Sequence, residues 1–306
     1  MVPAAVLTVL LAAPSPQPTP PPPSFSTGLD MVNVTVTVRD EHGKLVTDLT
    51  AEDFIVKEDG RPQVVEVFAR SHEQGQDDVL TLDLGMLLDT STSMLEQLKL
   101  SQEAATRFLE SVPRARELIT IFFDHEIRVS KYDSENQQGL FDRIHSAKGG
   151  GDTALYDAMA VYLSRVEGAS GRKVLVLFTD GEDSRSELTL PEVMQLLRSS
   201  RVSVYPICFQ SFAPGSSRAI KSRAVLQQFA DLTGGTLFNP SASRDLGAIY
   251  QKILDELGGQ YVLGYVSDNQ KADGKLRRLV VELPNRKDLK VRHRTGYMGK
   301  AKEENR

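Results

Sequence analysis

The chain has 306 residues, enough for a sizeable core and for two folded units. Hydrophobic residues make up 40% and charged residues 25%, an ordinary globular balance. The net charge of −5 gives no electrostatic reason to expect nucleic acid as a partner, and the single cysteine, Cys208, excludes an internal disulfide.

In chain order, Val2 to Ala13 form an apolar stretch ending in Ala12-Ala13, like the h-region of an export signal. Residues 1–13 therefore read as a signal peptide, an incomplete one: no Lys or Arg precedes the apolar run, and Pro14 follows the expected cleavage point. The expectation is an exported protein, periplasmic, at the cell surface or secreted. Residues 14–28 are a proline-rich linker, extended and without a core of their own. Residues 29–72 read as a β segment. Val32, Val34, Val36 and Val38 alternate with Asn33, Thr35 and Thr37, a period of two. Asp59-Gly60 predicts a hairpin between Phe54–Val56 and Val64–Phe68. Asn33-Val34-Thr35 also matches a glycosylation acceptor, a match too short to carry weight.

From Val79 the pattern changes to alternating strands and helices over residues 79–259. Strands are predicted at 80–88, 118–123, 127–132, 174–178, 202–209 and 236–238. Helices are predicted at 94–112, 140–146, 153–166, 191–200, 225–232 and 246–257. This order predicts an α/β fold with a doubly wound, mostly parallel sheet. Residues 260–299 return to strands. Neither β segment has enough strands to fold alone, but together they supply about six. The expectation is a small β-sandwich formed by residues 29–72 and 260–299, with the α/β region inserted between them. No segment is long and apolar enough to span a bilayer as a helix. Cys208 lies in an apolar run and reads as a buried, inert thiol.

The organising stretch is Leu84 to Met94. An apolar run stops at Asp89, and Ser91 and Ser93 follow where a strand turns towards a helix. Ligand sites in open α/β sheets form at such strand ends. The Asp-x-Ser-x-Ser spacing lets three oxygens converge, and oxygen-only ligands suit a hard cation such as Mg²⁺. Taken alone, the stretch fits a plainer role better: Asp, Ser and Thr are what a helix N-cap wants. Two further pieces change the balance. Thr153 follows the triple glycine 149–151, and Asp180 ends the apolar strand 174–178 within Phe178-Thr-Asp-Gly-Glu-Asp183. In a parallel sheet these carboxyl ends share one edge.

On these residues the region from about Val79 to Gly259 resembles a von Willebrand factor type A (VWA) domain. Asp89, Ser91, Ser93, Thr153 and Asp180 match its metal-ion-dependent adhesion site, and Gly-Gly-Asp-Thr-Ala-Leu-Tyr-Asp and Phe-Thr-Asp-Gly match the surroundings. With the flanking β segments the chain resembles the secreted bacterial VWFA-related proteins. The resemblance implies that Ser91, Ser93 and Thr153 are hydroxyl ligands of Mg²⁺ or Mn²⁺, with Asp89 and Asp180 holding metal-bound waters or binding weakly. It implies a protein partner that presents an Asp or Glu to the ion, and no catalysis. Glu182 and Asp183 are expected to face solvent. Two rival readings are an intracellular VWA scaffold for an ATPase complex and a metal-dependent phosphatase-like hydrolase with Asp89 as nucleophile. The hydrolase needs a positioned base, and the five histidines are expected to lie away from this sheet edge.

Overall fold

The computed structural model describes residues 31–71, 82–111, 117–132, 137–167, 172–209, 213, 215–240 and 243–301. The expected signal peptide, the proline-rich linker and residues 72–81 lie outside the described residues.

The central element is β5 (Leu82–Asp89), buried along almost its whole length. It pairs in parallel with β6 (Glu117–Phe123) on one side and with β8 (Arg172–Thr179) on the other. β9 (Val202–Cys208) extends the sheet in parallel beyond β8, and β7 (Ile127–Tyr132) closes the far edge antiparallel to β6. The resulting five-stranded order is β7-β6-β5-β8-β9. Continuous apolar strands such as Val174–Phe178 suit this setting, because each face needs cover. One core cluster joins Met86, Leu88, Val176 and Phe178 to α1 (Leu98–Ser111), α2 (Gln137–Ser146) and α6 (Ser243–Gly258). The other joins Leu87, Ile121, Leu175 and Leu177 to α3 (Leu155–Arg165), α4 (Leu190–Ser199) and α5 (Ser217–Thr233). The sheet is thus doubly wound, as the element order predicts. The expected strand at 236–238 is only a bridge between Phe238 and Ile207.

Two antiparallel four-stranded sheets complete the fold, and each takes strands from both chain ends. One has the order β12-β1-β10-β4, formed by Lys290–His293, Met31–Arg39, Tyr261–Val266 and Val67–Arg70. The other has the order β13-β11-β2-β3, formed by Gly296–Met298, Leu276–Glu282, Ile55–Glu58 and Arg61–Gln63. Val34, Val36 and Val38 turn the apolar face of β1 inward, against Val56, Leu279 and Val281 of the other sheet. The period of two therefore selects the buried face. Together the sheets hold eight strands, where about six were expected. The Asp59-Gly60 turn is a hairpin, but its return strand is β3. Val64 is 78% exposed, residues 64–66 form no strand, and the chain crosses to the other sheet as β4, so only Val67 and Phe68 of the predicted strand 64–68 are in a strand.

The sandwich is tied to the α/β body through Glu256 of α6, which is fully buried. Arg39 of β1 reaches its Oε2 at 2.9 Å, and Arg292 of β12 bonds its Oε1. Gln260 continues this polar seam, donating to Thr37 Oγ1 at 3.1 Å and to Tyr205 Oη at 3.0 Å.

Candidate metal centre

The parallel sheet brings the ends of β5, β6 and β8 to one edge. Asp89 is the last residue of β5 and is fully buried. Its Oδ1 accepts from Ser91 N at 2.9 Å and its Oδ2 from Thr179 Oγ1 at 2.6 Å. Burial pushes its carboxyl up to about 7, helped by the Asp180 charge and opposed by the bonds from Ser91 and Thr179.

Ser91 and Ser93 do not cap a helix. A short 3₁₀ turn follows Ser91 without a side-chain cap bond, and α1 starts only at Leu98. The two hydroxyls instead face each other, Oγ to Oγ at 3.2 Å. Thr92 N donates to Gly151 O at 2.9 Å and Gly150 N to Thr90 O at 2.8 Å, which laces this loop to the one carrying Thr153. Gly151 has a φ of +82°, and an added Cβ there would lie 2.2 Å from His125 Nδ1, so the loop needs glycine at this position. Thr153 is buried, and its backbone is held from the β8 loop: its N donates to Ser184 Oγ at 3.0 Å, and its O accepts from Ser184 N and Arg185 N.

Asp180 follows β8 and is 3% exposed. Its Oδ1 accepts from Glu182 N at 3.0 Å. Its Oδ2 is buried with no hydrogen-bond partner among the described residues. An orphaned buried carboxylate oxygen is costly unless something other than these residues meets it. Among the described residues no three His, Cys, Asp or Glu side chains gather closely enough to hold a metal ion. A cation at this edge would therefore depend on the hydroxyls, and two carboxylates with serine and threonine oxygens are a donor set suited to a hard divalent cation.

A clamp supports the same edge from β6 and β7. Arg128 Nη2 lies 2.5 Å from Asp124 Oδ2 and 3.1 Å from Thr90 Oγ1, the residue after Asp89. Burial raises the Asp124 pKa, but Arg128 and the Glu126 N–H outweigh it, and the carboxyl sits below its ordinary value.

Three expectations need correction. His125 lies at this edge, not away from it, because the β6–β7 turn is at the carboxyl end of β6; its Nδ1 is 3.2 Å from Asp124 Oδ1. Glu182 does not simply face solvent but is ion-paired with Arg218 of α5. Asp183 is half-buried and accepts from Tyr156 N at 3.2 Å. Arg218 and Tyr156 stand on helices about thirty residues away in sequence, so no local signal marks them as partners of Glu182 and Asp183. Cys208 behaves as expected: it is buried, and burial pushes its thiol up to about 11.

A five-stranded, doubly wound, mostly parallel sheet with helices on both faces defines an α/β domain. Residues 83–252, more than half of the chain, match the von Willebrand factor type A domain, and the chain belongs to that family. Such domains generally mediate protein interactions. A search of curated protein sequences finds no match. Among solved structures, a von Willebrand factor type A protein from Catenulispora acidiphila is 11% identical, with 92% of this chain and 76% of that one covered and a TM-score of 0.50. Conserved hypothetical protein BatB from Bacteroides thetaiotaomicron is 15% identical over 57% of this chain and 98% of its own, with a TM-score of 0.46. Proximal thread matrix protein 1 from the mussel byssus, with a zinc-occupied MIDAS motif, is 17% identical over 64% and 48%, with a TM-score of 0.46.

Proposed function

We propose that Asp89, Ser91, Ser93, Thr153 and Asp180 hold one Mg²⁺ or Mn²⁺ ion, through which this VWA module binds a protein partner. The observation that carries this reading is the buried Asp180 Oδ2, without a partner among the described residues, at the same sheet edge as a Ser91 hydroxyl that makes no cap bond. Neutral hydroxyl ligands leave the ion most of its positive charge, so an Asp or Glu of the partner completes its coordination. One ion-to-carboxylate bond does not supply the whole affinity, and the surrounding surface contributes the rest.

The module does no covalent chemistry in this reading. Asp89 is fully buried with both oxygens engaged, which suits a nucleophile poorly. His125 is turned to Asp124. The signal-like residues 1–13 and the proline-rich residues 14–28 support export, with the VWA region 79–259 carried on a sandwich built from residues 29–72 and 260–299.

Titration calorimetry with Mn²⁺ and with Mg²⁺ is expected to show one site, lost in Asp89→Ala. A pull-down from an envelope extract is expected to retain a partner with Mg²⁺ and to release it in EDTA. Wild-type protein that binds neither ion at millimolar concentration overturns the metal site. Partner binding indifferent to EDTA and to Thr153→Ala overturns the ion bridge.

A further inference from the structure

Helix α3 begins with free amide groups that need acceptors. Its N-cap is Ala154, which has no side-chain oxygen to offer. The residue before it is Thr153, whose hydroxyl is the nearest one along the chain. Yet the acceptors come from another loop. Tyr156 N donates to Ser186 Oγ at 3.0 Å and to Asp183 Oδ1 at 3.2 Å, and Asp157 N donates to Ser186 Oγ at 3.1 Å. Ser186 Oγ donates in turn to Asp183 Oδ1 at 2.5 Å. The tie is reciprocal, because the Asp157 carboxylate accepts from Glu187 N at 2.8 Å and from Leu188 N at 3.0 Å. Ser184 meanwhile fixes the Thr153 backbone on both sides, through its hydroxyl and its amide.

We propose that Ser186 and Asp183 are positioning residues for the metal centre: by capping α3 from the β8 loop they leave the Thr153 hydroxyl free for the ion. The proposal rests on the metal-binding reading above. It joins the loop that carries Asp180 to the helix that follows Thr153, so two ligand-bearing segments move as one. Without the Ser186 hydroxyl, the Tyr156 amide keeps Asp183 Oδ1, but the Asp157 amide loses its acceptor, turns to the Thr153 hydroxyl and draws it away from the ion.

The test is Mn²⁺ binding to the full chain, read from the EPR signal of free Mn²⁺ well below the unfolding temperature, with Tm measured in EDTA alongside. Ser186→Ala is expected to weaken Mn²⁺ binding about 10-fold or more, as loss of an outer-shell partner typically does. Ser186→Thr keeps the hydroxyl and is expected to restore binding. Adding Ser186→Ala to Thr153→Ala is expected to cause no further loss, since both act through one oxygen. If Ser186→Ala does not fold, Ser186→Cys fills the same space with a weak acceptor and is expected to show the same loss. A variant that binds Mn²⁺ like the wild type while its Tm falls shows a purely structural cap and overturns the proposal. Losses that add in the double variant also overturn it. Wild-type protein that binds no Mn²⁺ instead overturns the metal reading, a different outcome from the same titration.

Discussion

Two regions of this protein bury carboxylates, and they treat them differently. In the sandwich, Glu58 is 3% exposed and receives three hydroxyls: Tyr265 Oη at 2.8 Å, Tyr297 Oη at 2.9 Å and Ser267 Oγ at 2.7 Å. Tyr265 belongs to one sheet, Glu58 and Tyr297 to the other, so the cluster pins the two sheets together. Glu256, at the seam with the α/β body, is likewise completed by arginines. At the strand edge of the α/β body, Asp180 is equally buried, but one oxygen has no partner among the described residues. A buried charge fully met by the chain's own groups serves the fold. On the function proposed above, the one left incomplete at the strand edge is met by something outside the chain.

The comparison can be broken first at Glu256. Glu256→Ala leaves Arg39 and Arg292 without their shared carboxylate, and the expected loss is about 3 kcal/mol in urea unfolding. The figure is the low end for a buried network because the two arginine side chains are 30% and 28% exposed. A loss within the noise would show that the seam is held by apolar packing alone. A smaller effect is expected at Glu58. Tyr297→Phe removes one of three donors and is expected to cost about 1 kcal/mol, since Tyr265 and Ser267 still satisfy the carboxylate. A much larger cost would mean that Glu58 is not redundantly held. The smallest stability effect is expected at Asp180. Asp180→Asn in EDTA is expected to change stability by under about 0.5 kcal/mol, because no group among the described residues bonds the lost oxygen. Millimolar Mn²⁺ is expected to raise the Tm of the wild type and not of this variant. Destabilisation of Asp180→Asn as severe as that of Glu256→Ala would erase the distinction between the two regions.

Much of this was legible in the residues. The valines of β1 announce a one-sided strand, and Val34, Val36 and Val38 are indeed buried. Leu82–Asp89 and Arg172–Thr179 announce strands covered on both faces. Elsewhere the pattern misled. Helix α5 begins at Ser217, eight residues before the expected Val225, because its first two turns are polar and carry the exposed Ile220. A signal was present in Ser216, whose hydroxyl accepts from Ala219 N at 3.2 Å as a cap does. The crossing at residues 64–66 had no signal, because alternation does not say which sheet a strand joins.

The sequence by itself determined the element types, the parallel sheet and the five candidate ligand residues, because hydrophobic periodicity and strand-end chemistry are local properties. It also placed Cys208 in the core. Only the tertiary structure decided which polar groups are satisfied. Asp183 and Ser186 cap a helix some thirty residues back in the chain, Glu182 finds Arg218, and Arg128 reaches Thr90. These bonds join segments that share no local pattern, and they form only when the sheet has brought its strand ends to one edge. The same holds for the orphaned oxygen of Asp180. Whether a carboxylate has a partner depends on what the rest of the chain brings within about 3 Å, which no window of sequence contains.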